Sequence, residues 1–425
     1  MRTPKLFAGV AAAAALVLAL AGCSASSTGT KAADPSEVSG KITYAFWDPN
    51  QKAAMDKIVA AFEKKYPKVT VTDSVVPYAQ YWTTLQTEAS SNTLPDVFWM
   101  NMPYFQLYAA NGQLAPIDDL VKGKQIDVSA YPANLTKFYT YGGKRYAVPK
   151  DVDTNAMWVN KALFKQAGVS IPVAGWTYDD YRALAKQIRQ KLGSKGIYGT
   201  SFYLFGQTTY YSSVFAYGGQ VIDGTKSGWD TPASEKGLQI WRDLVSDGSS
   251  PTIQQLSETT ADQWFVNGKA AMYPSIAGAS VAEMAGAKSA ADFVAIPLPQ
   301  GTKQATVGHA LSNVVSAKSK NLAAAQAFQA FTASKQAQVI QAGSGVAISA
   351  YTGTADGFVK SHPGLGLQTF VDAIKYSVPY PASKNTDAWA AKEPALAAQA
   401  FSGQLSVDAA EKQLATVMNT ALAKE

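Results

Sequence analysis

The chain has 425 residues, of which 47% are hydrophobic, and it carries a formal net charge of +6 and a single cysteine. This length exceeds the usual single hydrophobic core and favours two domains. One cysteine excludes a disulfide-stabilised fold, and two histidines without a second thiol give no ordinary zinc site, so we expect no metal and no other cofactor. The basic surplus is mild and unclustered, which argues against nucleic-acid binding.

Residues 1–22 have the composition of an export signal. Arg2 and Lys5 precede an apolar run over residues 6–20, which is short for a membrane span of about 20 residues. Small residues directly before Cys23 resemble the bacterial lipobox. This resemblance implies a lipoprotein signal peptide over 1–22 and acylation of the Cys23 thiol, as with palmitate. An ordinary secretory signal with an incidental thiol is the alternative.

Residues 23–40 are predicted to form a flexible tether. They are mostly Ser, Thr, Ala and Gly and contain almost no large apolar side chain. Such a segment cannot bury enough apolar surface to offset the entropy of ordering. We therefore expect the globular part to begin at residue 41.

The first part of the globular region alternates between strand and helix patterns. Strands are predicted at 41–47, 69–72 and 96–100, and helices at 51–66 and 81–90. This alternation is typical of an α/β sheet. The Gly142–Gly143 pair predicts a hairpin turn, because glycine tolerates positive φ at both corner positions.

A second α/β set follows. Thr177 and Asp180 are spaced as a capping box ahead of a helix over 181–192. The other predicted elements are strands at 154–160, 293–298 and 313–317, helices at 161–167, 235–245 and 322–340, and a mostly helical segment from residue 387 onward. Trp241 and Trp264 are predicted to be core residues.

Several stretches, in this order and spacing, resemble one known family: Phe46-Trp47-Asp48, Leu94-Pro95-Asp96-Val97-Phe98, the run from Gly143 to Pro149, the run from Val159 to Phe164, and the run from Phe265 to Met272. Together they are similar to the extracellular solute-binding proteins of ABC importers, in the maltose-binding-protein-like branch that carries sugars. The likeness extends over nearly the whole chain after the tether.

The resemblance implies an α/β fold of the two-lobed, periplasmic-binding-protein type (type II, or Venus-flytrap), with three hinge crossings near 150–154, 309–312 and 345–350. The N-terminal lobe would comprise 41–152 plus 311–347. The C-terminal lobe would comprise 153–310 plus 348–425.

The same resemblance implies a function without catalysis. The protein would be a monomeric, lipid-anchored receptor on the extracellular face of the bacterial cytoplasmic membrane. It would capture a carbohydrate by hinge closure and deliver it to the transmembrane subunits of an ABC permease.

Candidate ligand residues follow from the chemistry of sugars, which present apolar faces and paired hydroxyl groups. Flat aromatic rings and side chains that bridge two hydroxyls suit both features. Because open α/β sheets bind ligands beyond the carboxyl ends of their strands, we expect contacts from Trp47, Asp48, Asn101 and Ser275. Asp48 has an alternative role as the N-cap of the following helix.

Five further candidates lie in helices or near the expected crossings: Tyr81, Asp153, Tyr211, His309 and Ser344. One ring of the pair Tyr81 and Trp82 is expected to face the cleft and the other the core. Tyr210 and Tyr211 offer a possible stacking platform, with core packing as the rival interpretation.

The alternatives for the other three candidates are structural. Asp153 could instead form a surface ion pair with Lys150 or Arg145. A lone histidine such as His309 is more often a hydrogen-bonded structural residue. A helix C-cap explains the segment around Ser344 equally well.

Other functions remain open. A glycoside hydrolase needs two carboxylates around the scissile bond, and Asp48 with Asp153 could supply them, although lobe closure would move one relative to the other. A receptor for a polyamine or a phosphate ester would need clustered acids or arginines at the strand ends. A wall-binding scaffold would predict repeats or a β-rich body, which the sequence lacks.

Overall fold

The computed structural model describes residues 34–425. The predicted signal peptide 1–22, the predicted lipid site at Cys23 and the predicted tether up to residue 33 lie outside the described residues. Within 34–425, none of the helices combines the length and the apolar character that a membrane crossing requires.

The strands alternate with helices along most of the chain. In chain order they are β1 Gly40–Phe46, β2 Val69–Val75, β3 Val97–Asn101, β4 Thr140–Tyr141, β5 Lys144–Arg145, β6 Pro149–Asp153, β7 Asn155–Asn160, β8 Tyr198–Thr200, β9 Ile222–Asp223, β10 Lys226–Ser227, β11 Ala270–Ile276, β12 Phe293–Ile296, β13 Thr306–Val315, β14 Ile348–Ser349 and β15 Ser377–Pro379.

The α-helices range from single turns to four turns. They are α1 Lys52–Lys65, α2 Tyr78–Ser91, α3 Met102–Ala110, α4 Asp118–Lys122, α5 Ala133–Thr136, α6 Lys161–Ala167, α7 Tyr178–Leu192, α8 Tyr210–Ala216, α9 Pro232–Ser246, α10 Ile253–Glu258, α11 Ala261–Val266, α12 Ala277–Gly286, α13 Leu322–Thr332, α14 Lys335–Ala342, α15 Asp356–Ser361, α16 Gln368–Ala373, α17 Asp387–Ala390, α18 Glu393–Ser402 and α19 Val407–Leu422.

The larger sheet has seven strands in the order β14-β6-β13-β3-β1-β2, with β15 paired to the start of β13. β1 is parallel to β2 and to β3, whereas β13 is antiparallel to both β3 and β6. The carboxyl ends of β1, β2, β3 and β6 therefore lie along one edge of this sheet.

The interior of the larger sheet is tied together by side-chain hydrogen bonds between strands. Trp99 Nε1 of β3 donates to the Tyr44 hydroxyl of β1 at 2.6 Å, and that hydroxyl lies 2.9 Å from Asn313 Oδ1 of β13. These three residues are buried, and satisfied polar groups in an apolar core favour one register of the strands.

The smaller sheet has four strands in the order β12-β7-β11-β8. β11 is parallel to β8 and antiparallel to β7. The carboxyl ends of β8 and β11 therefore share an edge, and β7 begins at that same edge.

The two sheets meet where β6 ends and β7 begins. Asp153 is the last residue of β6, and Asn155 is the first residue of β7. The backbone N–H of Asn155 donates to Thr306 Oγ1 at 3.1 Å, and this bond links the connection to the start of β13. The carboxyl edges of the two sheets are thus joined at this connection, in the two-lobed α/β fold expected from the sequence. The division of the chain into lobes at stated residues stays a prediction.

Most predicted elements are present, and the local signals behave as expected. Thr177 and Asp180 form a capping box at the start of α7. Gly142 and Gly143 have φ values of 55° and 75° in the turn between β4 and β5. Trp241 is buried in the core as predicted. Trp264 is half-buried and packs against the core, with its ring 5.4 Å from that of Tyr198.

Two predicted elements differ from the structure. The single helix expected over 322–340 is two helices, α13 and α14, because Ser334 caps the second one by accepting from the Ala337 amide at 3.3 Å. Val339, in the second of these helices, is 52% exposed. The strand expected at 313–317 begins earlier, at Thr306, because its first half pairs with both β6 and β15.

Candidate functional site

An aromatic cluster occupies the carboxyl edge of the larger sheet. The Trp47 ring, just after β1, lies 4.9 Å from Tyr81, 5.0 Å from Trp99 and 5.6 Å from Tyr78, between ring centroids. Trp47 is half-buried, and Tyr78 is 52% exposed. The cluster therefore runs from the core to a ring that is open to solvent.

A second pair of rings extends this cluster. Trp82 of α2 stacks on Tyr104 of α3 with centroids 3.9 Å apart and planes 11° from parallel. Both rings are half-buried. Offset stacking fixes the orientation of both side chains at little entropic cost on binding.

The predicted ligand residue Tyr81 lies beneath the cluster. It is 1% exposed, and its hydroxyl donates to the Trp99 carbonyl at 2.8 Å. Of the pair at 81 and 82, the core position belongs to Tyr81 and the more open position to Trp82.

One contact joins the two halves of the molecule at this edge. The Tyr104 hydroxyl donates to Asp387 Oδ1 at 3.5 Å, a long bond between residues 283 positions apart. Asp387 begins α17, which packs against α18 and α19. These two helices pack against α9, which in turn contacts α7 beside the smaller sheet. Burial, with a smaller contribution from the Asp387 charge, raises the pKa of the half-buried Tyr104.

Two of the predicted polar residues cap helices. Asp48 accepts from the Asn50 amide at 2.9 Å and from Gln51 Nε2 at 3.0 Å. Asn101 accepts from the Tyr104 amide at 3.3 Å and is 4% exposed. A carboxylate has about four lone-pair positions, so the half-buried Asp48 keeps acceptor capacity for a ligand.

Asp153 lies at the junction of the two sheets. Its Oδ1 accepts from the amide of Gly278, in the first turn of α12, at 2.9 Å. Burial raises the pKa of Asp153 to about 7, the Gly278 bond opposes this, and the nearby Asp151 charge adds to it.

The alternative of a surface ion pair for Asp153 with Lys150 or Arg145 is wrong. Lys150 is instead buried and pairs with Asp151, with 2.5 Å between Nζ and Oδ2. Arg145 Nη1 donates to the Thr136 carbonyl. Asp153 makes no ion pair within the described part of the chain.

His309 faces Asp153 across the β6–β13 pairing. It is 7% exposed, and its ring centroid lies 5.4 Å from that of Tyr380. Burial lowers the pKa of His309 to about 4, so the imidazole is neutral at pH 7.

The two predicted serines differ in exposure. Ser275 in β11 is 2% exposed and pairs with Ala156 of β7. Ser344 is half-buried and donates to the Gln341 carbonyl at 2.6 Å, just after α14. This bond fits the C-cap interpretation of Ser344.

Tyr211 does not belong to an open stacking platform. It and Tyr210 are each 1% exposed in α8. The Tyr211 hydroxyl donates to Glu393 Oε2, and Trp229 Nε1 donates to Glu393 Oε1 at 3.3 Å. Burial raises the pKa of Glu393 to about 8. Both tyrosines are therefore packed in the core, which is the alternative interpretation given above.

Sequence reasoning missed two exposed aromatic rings that lie beyond the carboxyl ends of strands. Tyr78 follows β2 and opens α2, and Phe205, which is 43% exposed, lies in the loop after β8. That loop is held at the junction of the sheets, because Asn155 Nδ2 donates to the Gln207 carbonyl. Their position just beyond strand ends is the signal that could have identified them.

Across residues 34–425, the acidic, histidine and cysteine side chains nowhere gather in a group of three or more that could hold a metal ion. The arrangement offers aromatic rings, a half-buried carboxylate at Asp48 and another at Asp153. Such a surface suits a neutral ligand that has both apolar faces and hydroxyl groups.

Comparison with known proteins gives one family. Residues 48–339 match the family described as bacterial extracellular solute-binding protein. A putative binding protein of Brucella abortus is 28% identical over 250 residues, which are 56% of this chain and 58% of that protein. The chain therefore spans well under the full length of the curated relative it matches.

Two solved structures are similar over most of the chain. The substrate-binding protein of an ABC transporter from Listeria monocytogenes, in complex with cycloalternan, has a TM-score of 0.82 at 24% identity, covering 91% of this chain and 99% of that one. The GacH receptor of Streptomyces glaucescens, whose complexes include one with acarbose, has a TM-score of 0.77 at 26% identity, covering 91% and 98%.

Proposed function

Because the chain belongs to the bacterial extracellular solute-binding protein family, we propose that it captures a carbohydrate between its two lobes and delivers it to an ABC permease. Closure about the connections between the sheets would trap the sugar. Ligand contacts that form with both lobes only in the closed state would supply the free energy of that closure.

The observation that carries this proposal is the aromatic cluster around Trp47 at the carboxyl edge of the larger sheet. Rings of Trp and Tyr offer flat apolar faces that match the C–H face of a sugar ring. Trp47 is half-buried and Tyr78 is 52% exposed, so both rings are accessible to a ligand.

We propose direct ligand contacts for Trp47, Asp48 and Asp153, and we add Tyr78 and Phe205. The carboxylates would accept hydrogen bonds from sugar hydroxyls. Phe205 would stack from the smaller sheet, opposite the ring of Tyr78. A ligand held between rings from both sheets favours the closed form.

Most of the remaining predicted residues are buried beneath the proposed ligand surface or in the core. Tyr81, Asn101, Ser275, Tyr211 and His309 are each at most 7% exposed. We propose that they fix the shape of the cleft rather than touch the sugar. Ser344, which is half-buried, stays a candidate contact near the third expected crossing.

A carbohydrate fits these groups better than a charged solute. A polyamine would call for several unpaired carboxylates, but Asp151 is paired with Lys150, and burial favours the neutral form of Asp153. A phosphate ester would call for arginine, and none of the proposed contact residues is an arginine. The complexes of the similar proteins with cycloalternan and acarbose point the same way.

The remaining steps of the proposed function concern the membrane. Acylation of Cys23 would anchor the protein outside the cytoplasmic membrane, and the tether would allow the lobes to reach the permease. We propose a monomer that binds and does not cleave its ligand. Mass spectrometry of the mature amino terminus from bacterial membranes tests the anchor directly.

A thermal-shift screen of the purified protein tests the ligand class. The panel contains acarbose, cycloalternan and linear malto-oligosaccharides, with spermidine and glucose 6-phosphate as charged comparisons. A ligand at a hundredfold excess over its Kd stabilises a protein by about 2.7 kcal/mol. A shift with a saccharide recovered intact supports the proposal, and a cleaved saccharide or a shift with a charged compound alone contradicts it.

A further inference from the structure

A chain of buried polar side chains leads away from Asp48 into the protein. Gln51, at the start of the first helical segment after β1, is 4% exposed. Its Nε2 donates to Asp48 Oδ2 at 3.0 Å, and its Oε1 accepts from Lys150 Nζ at 3.0 Å. Gln51 is therefore a bridge that uses both ends of its amide.

Lys150 is held on several sides. It is 2% exposed, and besides Gln51 it donates to Asp151 Oδ2 at 2.5 Å and to Gln341 Oε1 at 3.4 Å. Its Nζ also lies 3.9 Å from the centroid of the Trp99 ring. An ammonium group has three donors, so these acceptors satisfy it, and the cation–π contact adds to its fixation.

The same network reaches the strands that connect the lobes. Lys150 and Asp151 belong to β6, which ends at Asp153. Asp151 Oδ1 accepts from the Leu311 amide of β13 at 3.2 Å. Gln341 Nε2 of α14 donates back to the Lys150 carbonyl at 2.9 Å. One buried ammonium group thus links the end of β1 to β6, β13 and α14.

We infer that Gln51 and Lys150 are positioning residues for the ligand site, holding the carboxylate of Asp48 in one orientation and tying it to the strand that leads into the other lobe. This inference rests on the proposed function, because Asp48 is one of the proposed sugar contacts. Both Asp48 oxygens accept one internal hydrogen bond, from Asn50 and from Gln51. Their remaining lone pairs are thereby preorganised, which lowers the ordering cost of binding.

Replacing Lys150 is a poor test, since it would leave Asp151 buried without its partner and could prevent folding. Gln51→Met is sharper, because methionine has a similar shape, breaks both bonds of the bridge and leaves the Lys150–Asp151 pair in place. Gln338→Met is the matched control. Gln338 is 1% exposed in α14. Like Gln51 it uses both ends of its side-chain amide, because its Nε2 donates to the Thr332 carbonyl and its Oε1 accepts from the Ser349 hydroxyl.

The binding experiment measures the Kd for acarbose by calorimetry. We expect Gln51→Met to weaken binding about tenfold or more and Gln338→Met to leave it within about twofold. In the Asp48→Ala background, Gln51→Met should cause no further loss, because its effect passes through Asp48. Equal losses in both single glutamine variants, or an additive loss in the double variant, would overturn the inference.

A ligand-free experiment separates this inference from the proposed function. Urea unfolding is measured for Asp48→Ala, Gln51→Met and the double variant. If Gln51 holds Asp48, the two substitutions are not additive. Additive effects overturn the positioning role whatever the protein binds. A wild-type protein that binds no saccharide overturns the proposed function, and the unfolding cycle then still decides whether Gln51 holds Asp48.

Discussion

Two regions of this protein are built from the same residue types and differ in exposure. At the edge of the larger sheet, Trp47 and Tyr78 lead to solvent beside Asp48. In the half with the smaller sheet, Tyr211 and Trp229 surround Glu393, and all three are at most 3% exposed. Tryptophan, tyrosine and a carboxyl group therefore line the proposed ligand surface in one place and form a buried network in the other.

The difference comes from what satisfies the carboxyl group. Glu393 accepts from a tyrosine hydroxyl and an indole N–H and is only 3% exposed. Its burial makes the neutral form favourable and raises its pKa to about 8. Asp48 has one backbone donor and one amide donor and stays half-buried. Composition alone does not distinguish a ligand surface from a polar core, whereas exposure does.

The largest effect is expected from a substitution that breaks the buried network of Tyr211, Trp229 and Glu393. Tyr211→Ala should lower the free energy of unfolding by about 3–5 kcal/mol, because it opens a cavity next to Glu393 and removes a donor to it. Urea unfolding monitored by tryptophan fluorescence measures the change. Tyr211→Phe keeps the ring and should cost about 1–3 kcal/mol. A change below 1 kcal/mol for Tyr211→Ala would contradict the packing role.

The second prediction concerns the exposed ring of Tyr78. Tyr78→Ala should weaken saccharide binding about tenfold or more, because a stacking face is lost, while the free energy of unfolding changes by less than about 1 kcal/mol. Calorimetric titration and urea unfolding measure the two quantities. Val173→Ala is the control, since Val173 is 79% exposed and lies outside the proposed site. An equal loss of affinity in both variants would refute the role of Tyr78.

The sequence predicts the secondary structure of this protein better than it predicts which side chains are exposed. Local patterns predicted many of the strands and helices, because alternation, capping residues and glycine turns act over a few positions. The capping box at Thr177 and the Gly142–Gly143 turn are examples. The strands β6 and β8 were not predicted. The break between α13 and α14 was missed, because Ser334 lies in an alanine-rich run whose helical periodicity continues past it.

The candidate site was predicted less completely, because its exposure depends on distant parts of the chain. Tyr211 was interpreted as a possible platform, but its partner Glu393 is 182 positions away. Tyr104 and Asp387 are 283 positions apart. The rule of strand carboxyl ends identified Trp47 and Asp48, and it could equally have identified Tyr78 and Phe205.

The third prediction uses the raised pKa of Glu393. From the unfolded value near 4.5 up to about pH 8, the folded protein retains a proton that the unfolded chain releases. Stability therefore falls as pH rises through this window, by at most about 1.4 kcal/mol per pH unit from this group. Glu393→Gln cannot ionise, so its stability should fall less steeply with pH.

Urea unfolding from pH 4.5 to pH 8 measures both proteins. Burial raises the pKa of Glu411 to about 8 as well, but Glu411 is present in both proteins and cancels in the difference. Parallel pH profiles for the wild type and Glu393→Gln would show that Glu393 is ionised in the folded state, contrary to its burial.

The smallest effect on saccharide binding is expected from removing the hydrogen bond between Tyr104 and Asp387. The Tyr104 hydroxyl and the Asp387 carboxylate are 3.5 Å apart at a partly exposed position, so their bond contributes no more than about 1 kcal/mol. Asp387→Asn removes the charge, and Tyr104→Phe removes the hydroxyl while leaving the stack on Trp82. Each should shift the lobes toward the open form and weaken saccharide binding about two- to fivefold.

Small-angle scattering of the ligand-free protein and calorimetric titration measure these two consequences. Because both substitutions delete the same bond, the double variant should bind no more weakly than the single variants. A twofold loss in Tyr104→Phe that doubles again in the double variant would mean that Asp387 contacts the sugar directly. In that case the open aromatic surface would carry an acid from each lobe, and its contrast with the closed Glu393 network would be sharper still.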